Sequence, residues 1–354
     1  MNIIYSPETP AEFAELVRAT PRILPIGART KPGLSSVSPD VALLSTERIN
    51  GIIEYEPDEF TFTALAGTPI ADLAEILREK GQYLPFDPFL VSAGATLGGT
   101  VASGLSGPGR LRFGGIRDFI LGIRFVDGSG RLLRLGGKVV KNAAGFDLPK
   151  FFTGSLGRFG ALVELTFKVF PRSPGRLTLR LPVSDIDSAV RIFVAAANSR
   201  WEPDALDLLP SGDAVALRIA GPQEALPRIA AEILGRWPGE ILEGEAADLL
   251  WSGLREFSWA DPAGILAKIA LTPRAVPALV GAARRLDGKV HVSSGGNVAF
   301  ASLPPGANLA DLGLQALTLR GSPLLWNLAR PVSAISLAVK AALDPNNRFP
   351  SLNT

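Results

Sequence analysis

Gly94–Gly109 reads GATLGGTVASGLSGPG, sixteen residues with six glycines and no charged side chain. Glycine permits backbone angles closed to other residues and lets another molecule approach the main chain closely. Such a stretch is either a set of tight turns or a surface of bare amides laid against a phosphate-bearing ligand. The flanking sequence has to decide.

The chain has 354 residues, which suits two domains better than one core. Hydrophobic residues make up 47% and charged residues 20%, the balance of a well-buried globule. Net charge is only +2, and the densest basic group, Arg110, Arg112, Arg117 and Arg124, is broken up by glycine and apolar residues. That pattern excludes nucleic acid as the expected partner. Cysteine is absent, so this chain makes no disulfide, thiolate nucleophile or iron–sulfur ligation of its own. No run reaches the eighteen or so apolar residues of a membrane span, and the N-terminal MNIIYSPETP has no leader-like basic region. The expectation is a cytoplasmic protein, membrane-peripheral at most through a complex.

Upstream of the glycine-rich stretch, Thr9, Pro10 and Glu12 have capping-box spacing and predict a helix whose apolar positions are Phe13, Leu16 and Val17. A short β-like run, RILPI, then enters a loop carrying Gly27, Arg29, Thr30 and Lys31. That loop reads as an anion cradle or as a basic surface turn. GIIEYEP and FTFTALAG alternate as strands, and Thr68–Pro69 opens a helix through Lys80 that stops at Gly81. Downstream, RDFILGIRFVDGSGRLLRLGG predicts a hairpin turning at Asp127–Gly128. No strand–GxGxxG–helix unit occurs, so a Rossmann site is excluded.

Four segments in this order, PIGARTK, EPDEFTFTALAGTPIADL, SAGATLGGTVASGLSGPGR and KNAAGFDLPKFFTGSLGRFGALVELTFKV, resemble the FAD-binding domain of the vanillyl-alcohol oxidase superfamily, the PCMH-type flavin fold. Within it the chain is most similar to the FAD-binding subunits of bacterial glycolate oxidases (GlcE type), with ALDPNNRF resembling their Asp-Pro-x-x-x-Phe tail. The resemblance is strong over residues 20–172 and weak over the last fifteen. It implies an α+β protein: a PCMH-type FAD domain at 1–172, a cap domain at 173–325, and a segment at 326–354 that returns to the FAD domain.

The resemblance also implies site residues. Ile26, Gly27, Ala28, Arg29, Thr30 and Lys31 would wrap the FAD pyrophosphate, with Gly94, Ala95, Thr96, Gly98 and Gly99 completing the grip. Ser103, Gly104 and Ser106 would line the flavin and its ribityl chain, and Gly160, Ala161 and Val163 the adenine. Departures are Ala28 and Arg29 where small residues are usual, Arg158 and Phe159 in GSLGRFG, and Phe146 in place of a frequent tyrosine. Covalent flavin attachment in the superfamily generally uses histidine or cysteine, sometimes tyrosine. With no cysteine, and His291 far from the phosphate loop, noncovalent FAD is expected.

Beyond Ser173 the pattern becomes β-α-β-β-α, resembling a ferredoxin-like layer. A further strand at 264–271, a helix opened by Pro273 and a hairpin KVHVSSGGNVAF follow. The chemistry visible here is thin. His291 is the one histidine and reads as structural, since one imidazole cannot build the histidine clusters common among 2-hydroxy-acid dehydrogenases of the superfamily. Arg274, Lys268 and Arg320 are candidate carboxylate ligands but read as solvated surface charge, and Trp251, Trp259 and Trp326 read as packing. No catalytic residue and no metal ligand is assigned.

The implied role is an FAD-binding subunit of a glycolate-oxidase-like complex acting on a small 2-hydroxy acid. Its partners would be a homologous catalytic flavoprotein and an iron–sulfur protein. The alternatives are a self-sufficient FAD-dependent oxidoreductase of a small hydroxy acid or alcohol, and a flavin-free structural subunit.

Overall fold

The computed structural model describes residues 2–137, 147–329 and 331–353; Phe146 lies outside them. Strand β1 (Ile4–Tyr5) precedes helix α1 (Pro10–Ala19), whose first turn is capped by the Thr9 hydroxyl accepting from the Glu12 amide at 3.1 Å. The Glu12 carboxylate returns to the amide of Glu8 rather than that of Thr9, one residue earlier than a capping box places it. Strands β2 (Ile23–Ile26) and β3 (Ala42–Ser45) join β1 in a parallel sheet of order β1-β3-β2.

An antiparallel sheet of order β4-β5-β9-β7-β8 follows, built from β4 (Ile52–Glu56), β5 (Thr61–Leu65), β7 (Ile120–Val126), β8 (Leu132–Gly136) and β9 (Ala161–Lys168). The β7–β8 hairpin turns where Asp127 accepts the amides of Ser129 and Arg131, each at 2.9 Å. Helix α2 (Ile70–Glu79) packs Ile70, Leu73 and Leu77 inward. Thr68 does not cap it; its hydroxyl bonds the Leu65 carbonyl and the Gly51 amide instead. A two-stranded ribbon pairs β6 (Gln82–Tyr83) with β10 (Phe170–Pro171). The phenylalanines of these strands and loops pack together, Phe62 stacked on Phe167 at 5.8 Å and Phe86 tilted against Phe119 at 5.7 Å.

The glycine-rich stretch is not all turn. Leu97–Ser103 forms helix α3, capped by the Thr96 hydroxyl at the Gly99 amide and closed by Gly104 in the left-handed region. Short helices α4 (Arg110–Phe113) and α5 (Leu148–Phe151) flank the same corner.

Residues Gly175–Arg320 build one eight-stranded antiparallel sheet of order β14-β11-β13-β12-β16-β17-β15-β18. Its first half is β11 (Gly175–Pro182), α6 (Ile186–Ala197), β12 (Ala205–Leu208), β13 (Ala214–Gly221), α7 (Leu226–Arg236) and β14 (Glu240–Leu242). Numbered within that half, the order is 4-1-3-2, the ferredoxin-like arrangement. After helix α8 (Gly244–Glu256), which the sequence pattern does not announce, the scheme repeats. Strands β15 (Ile265–Ala270), β16 (Lys289–Ser293), β17 (Val298–Leu303) and β18 (Ala316–Arg320), with α9 (Val276–Arg285) after β15, mirror the first half. The halves meet at Leu208 opposite Val292.

One sheet face carries α6, α7 and α9 over Leu206, Leu217, Ala267 and Val292. Period-two alternation puts Leu266, Val298 and Phe300 on the other face, packed with the N-terminal core. There Phe89 stacks on Phe257 with ring centroids 4.9 Å apart and meets Phe300 at the same distance. Helix α10 (Ala334–Leu343) buries only Lys340, whose ammonium donates to the Arg158 carbonyl and the Asp344 carboxylate, each at 2.6 Å.

Candidate functional site

Strand β2 delivers the chain into the Gly27–Lys31 loop, and α3 brings the other wall against it. The two approach so closely that a Cβ on Gly27 would stand 2.3 Å from the Thr96 hydroxyl. Ile26, Gly27, Ala28, Arg29, Thr30 and Lys31 line the resulting cleft, facing Thr96, Gly99 and Ser103. A second cleft shares Ile26, Gly27 and Gly99 with the first and runs on past Gly98 and Ser155 to Gly160 and Leu162. A third, of about 520 Å³, begins at Gly104 and Ser106, directly after Ser103, and is walled by Arg110, Lys150 and Lys268. The three form a path from β9, along the glycine amides, to the face of the eight-stranded sheet.

Gly94, Ala95, Ala161 and Val163 line none of these clefts. Ala95 is buried and spends its backbone on Leu90 and Ile70, and Gly94 turns the chain at φ +88. Ala161 and Val163 point from β9 into the cluster under α1, while Leu162, one residue out of phase, faces the cleft. A strand covered on both faces hides this phase from the sequence.

Arg29 adopts a left-handed conformation at φ 52, and its exposed side chain does not fill the loop. Arg158 is buried and donates to the carbonyls of Leu34 and Leu156, two walls of the first cleft. Burial lowers its pKa to about 10. Phe159 packs edge-on to Phe151 at 4.7 Å.

Lys31 and Lys268 define the electrostatics. Burial pulls Lys31 down to about 8, with Glu256 acting in the opposite sense, and its ammonium donates to the Thr30 hydroxyl at 2.9 Å. Burial, assisted by Arg110, brings Lys268 to about 8 as well, and its closest bonded acceptor is the Gly104 carbonyl at 3.4 Å. Among the described residues neither lysine has a carboxylate within ion-pair range. The third cleft sets Arg110, Arg117, Lys150 and Lys268 against one acid, Asp118. Lys268 is therefore no solvated surface charge. Arg274 is exposed, and Arg320 donates to the Asp261 carbonyl, away from the clefts.

His291 is fully buried within the sheet, its Nε2 2.8 Å from Asp207, whose other oxygen accepts from the Ser293 hydroxyl and the Ser294 amide. It stacks on Phe300 and lines none of the three clefts. Trp251 donates to the Thr178 hydroxyl. Trp259 packs edge-on to Phe257, and Trp326 packs against the N-terminal core.

The residues present fit a dinucleotide with a phosphate at its middle. Free amides and a carboxylate-free lysine flank the first cleft. The hydroxyls of Ser155 and Thr153, in the walls of the second and third, are buried without a partner. Such groups are rarely left orphaned unless a ligand or water meets them. Among the described residues no group of three His, Cys, Asp or Glu could hold a metal. Lys150, Thr153, Ser155 and Lys268 were not singled out as ligands of the cofactor by the sequence. The signal at Lys268 was a lone cation at an inward position of an apolar strand, ILAKIA.

Residues 1–136 match the family described as FAD binding domain. This part of the chain is an FAD-binding domain of the PCMH type, and its cofactor is FAD. Among curated proteins, the chain is 38% identical over 211 residues to glycolate oxidase subunit GlcE of Escherichia coli (strain K12), covering 58% of this chain and 56% of that protein. It is 31% identical over 174 residues to D-2-hydroxyglutarate dehydrogenase of Xanthomonas citri pv. viticola, 49% of this chain and 37% of that one. Glycolate oxidase subunit GlcD of Bacillus subtilis (strain 168) matches at 29% over 167 residues, 47% of this chain and 35% of the relative. The chain thus aligns with little more than half of these relatives at most. Over 97% of its length the fold is that of alkyldihydroxyacetonephosphate synthase, with a TM-score of 0.70 at 16% identity, covering 74% of that chain.

Proposed function

We propose that this chain is the FAD-binding subunit of a glycolate-oxidase-type oxidoreductase acting on a small 2-hydroxy acid. The observation that carries the reading is the row of three neighbouring clefts, with buried Lys31 in the middle one and half-buried Lys268 in the one at the sheet, neither facing a carboxylate in ion-pair range among the described residues. Lys31 and the amides of Gly27–Thr30 hold the pyrophosphate, with Gly98 and Gly99 letting it approach the start of α3 closely; Gly160 and Leu162 border the adenine; Ser103, Gly104 and Ser106 border the ring. Attachment is noncovalent, since no histidine or cysteine reaches the clefts. Bound there, FAD supplies a two-electron acceptor for a substrate carbon–hydrogen bond. Lys268 and Arg110 hold the substrate carboxylate by charge-assisted hydrogen bonds and orient its hydroxyl-bearing carbon. The apolar wall of Phe89, Phe257 and Phe300 keeps water from the sheet face behind Lys268.

In this reading residues 1–172 form the FAD domain and residues 173–325 the cap, with the segment after 326 returning to the first. Onward transfer of electrons requires partners, a homologous catalytic flavoprotein and an iron–sulfur protein, because this chain has no cysteine to ligate a cluster. The lowered pKa of Lys268 favours a second reading, a self-sufficient oxidoreductase in which neutral Lys268 takes the hydroxyl proton.

The test is anaerobic mixing of the FAD-loaded chain with glycolate or lactate, followed at the flavin absorbance. The subunit reading expects a yellow protein that bleaches slowly alone and rapidly with its partners. Rapid bleaching alone, abolished by Lys268→Met, replaces it with the second reading. A chain that binds no FAD overturns both.

A further inference from the structure

We propose that Arg218, on the eight-stranded sheet, positions Arg110 in the third cleft through Asp87, so that the sheet sets the fit of the substrate carboxylate. This rests on the reading of that cleft as the carboxylate site.

The link is short and has no slack. One oxygen of Asp87, Oδ2, accepts from the Arg218 guanidinium at 2.6 Å and from the Gly109 amide at 2.9 Å. Gly109 immediately precedes Arg110, whose own amide donates to the Gly107 carbonyl. Gly107 in turn donates to the carbonyls of Phe86 and Asp87. A Cβ on Gly107 would stand 2.1 Å from the Asp87 carbonyl, and one on Gly109 2.2 Å from the Pro85 carbonyl. These two glycines therefore serve the contact with Pro85–Asp87 and line none of the three clefts. Asp87 sits at φ 48, a left-handed conformation that is strained for a non-glycine residue and persists where its surroundings impose it.

The other end is equally held. Arg218 donates through Nε to Asp204 at 2.7 Å, and its guanidinium lies 4.9 Å from the Trp251 ring centre. The side chains of Arg218 and Asp87 retain 6% and 8% of their exposure, too little for solvent to compete. A buried ion pair is weak evidence for stability, because desolvation offsets much of the attraction. What this pair adds is register. It joins residues 131 apart in the chain and ends on the amide next to a cleft-lining cation.

The experiment uses the FAD-loaded chain and oxalate, a dicarboxylate of glycolate's size with no carbon–hydrogen bond to lose. Oxalate affinity is read from its perturbation of the flavin spectrum, FAD affinity from fluorescence quenching, and stability from thermal unfolding. Arg218→Met and Asp87→Asn should each weaken oxalate about tenfold and leave FAD affinity within about twofold. Arg218→Lys should recover part of the loss. Combining Arg218→Met with Arg110→Met should weaken oxalate no further than Arg110→Met alone, the mark of two groups acting as one. If Arg110→Met weakens oxalate but Arg218→Met and Asp87→Asn lower only the unfolding temperature, or if the losses multiply, the positioning role is overturned. If Arg110→Met leaves oxalate affinity intact, the carboxylate reading falls and takes this proposal with it. Should Arg218→Met not fold, Asp87→Asn and Arg218→Lys read the same link.

Discussion

Lys340 in the C-terminal segment and Lys31 in the loop after β2 are both buried, yet their surroundings treat the charge in opposite ways. The three N–H groups of the Lys340 ammonium are shared among the carbonyls of Arg158, Phe349 and Pro350 and the Asp344 carboxylate. Asp344 itself accepts the amides of Arg348 and Phe349. Among the described residues Lys31 has one neighbouring hydroxyl and no carboxylate in ion-pair range, and half-buried Lys268, at the far end of the path, has one backbone carbonyl at 3.4 Å and likewise no carboxylate. A buried cation whose donors are all met by the chain is part of the fold. One left short is met by something from outside.

Lys340→Met should destabilise the protein by about 3–5 kcal/mol, because Asp344 is left buried and uncompensated. Chemical denaturation checks this, and a change under about 1 kcal/mol would erase the contrast. Lys31→Met should do the reverse without ligand, leaving stability equal or higher, while FAD affinity falls by about 1.5–3 kcal/mol, roughly ten- to a hundredfold. Fluorescence titration with FAD, beside a denaturation curve of the ligand-free chain, separates the two effects.

Lys31 and Lys268 titrate near 8 when folded and at their ordinary 10.5 when unfolded. Between those values the unfolded chain binds more protons, so the ligand-free protein should gain stability as pH rises from about 8 to 10.5. Anion binding runs the other way: above about 8 Lys268 must take up a proton to meet a carboxylate. Oxalate affinity should therefore be level below about 8 and fall by up to about tenfold per unit above it. A profile in Lys268→Met as steep as in the parent would assign the titration elsewhere.

Much of the N-terminal architecture was legible because its signals are local. Thr9 and Pro10 start a helix, Asp127–Gly128 turns a hairpin, and the loop after β2 carries its own glycine and cations. The residues that escaped depend on what stands opposite them in space. Lys268 shares a strand face with Leu266, which the alternation shows, but its burial comes from Arg110 and Gly104, more than 150 residues away. Gly107 and Gly109 look like the glycines beside them, yet the space they keep open is filled by Asp87. The second ferredoxin-like half was hidden because a 3-10 turn at Leu309–Leu312 stands where the first half has helix α7.

Helix α10 and the residues after it have a consequence in time. The amide of Ile23 donates to the Arg348 carbonyl, and the Arg348 guanidinium returns to the Thr20 carbonyl across 328 residues of chain. A ribosome adds about 5–20 residues per second, so the start of β2 waits roughly a quarter of a minute to a minute for these partners. Strand β2 is also the one that feeds the Gly27–Lys31 loop. During synthesis the strand that leads into that loop therefore keeps an unfinished edge until residue 348 has been added.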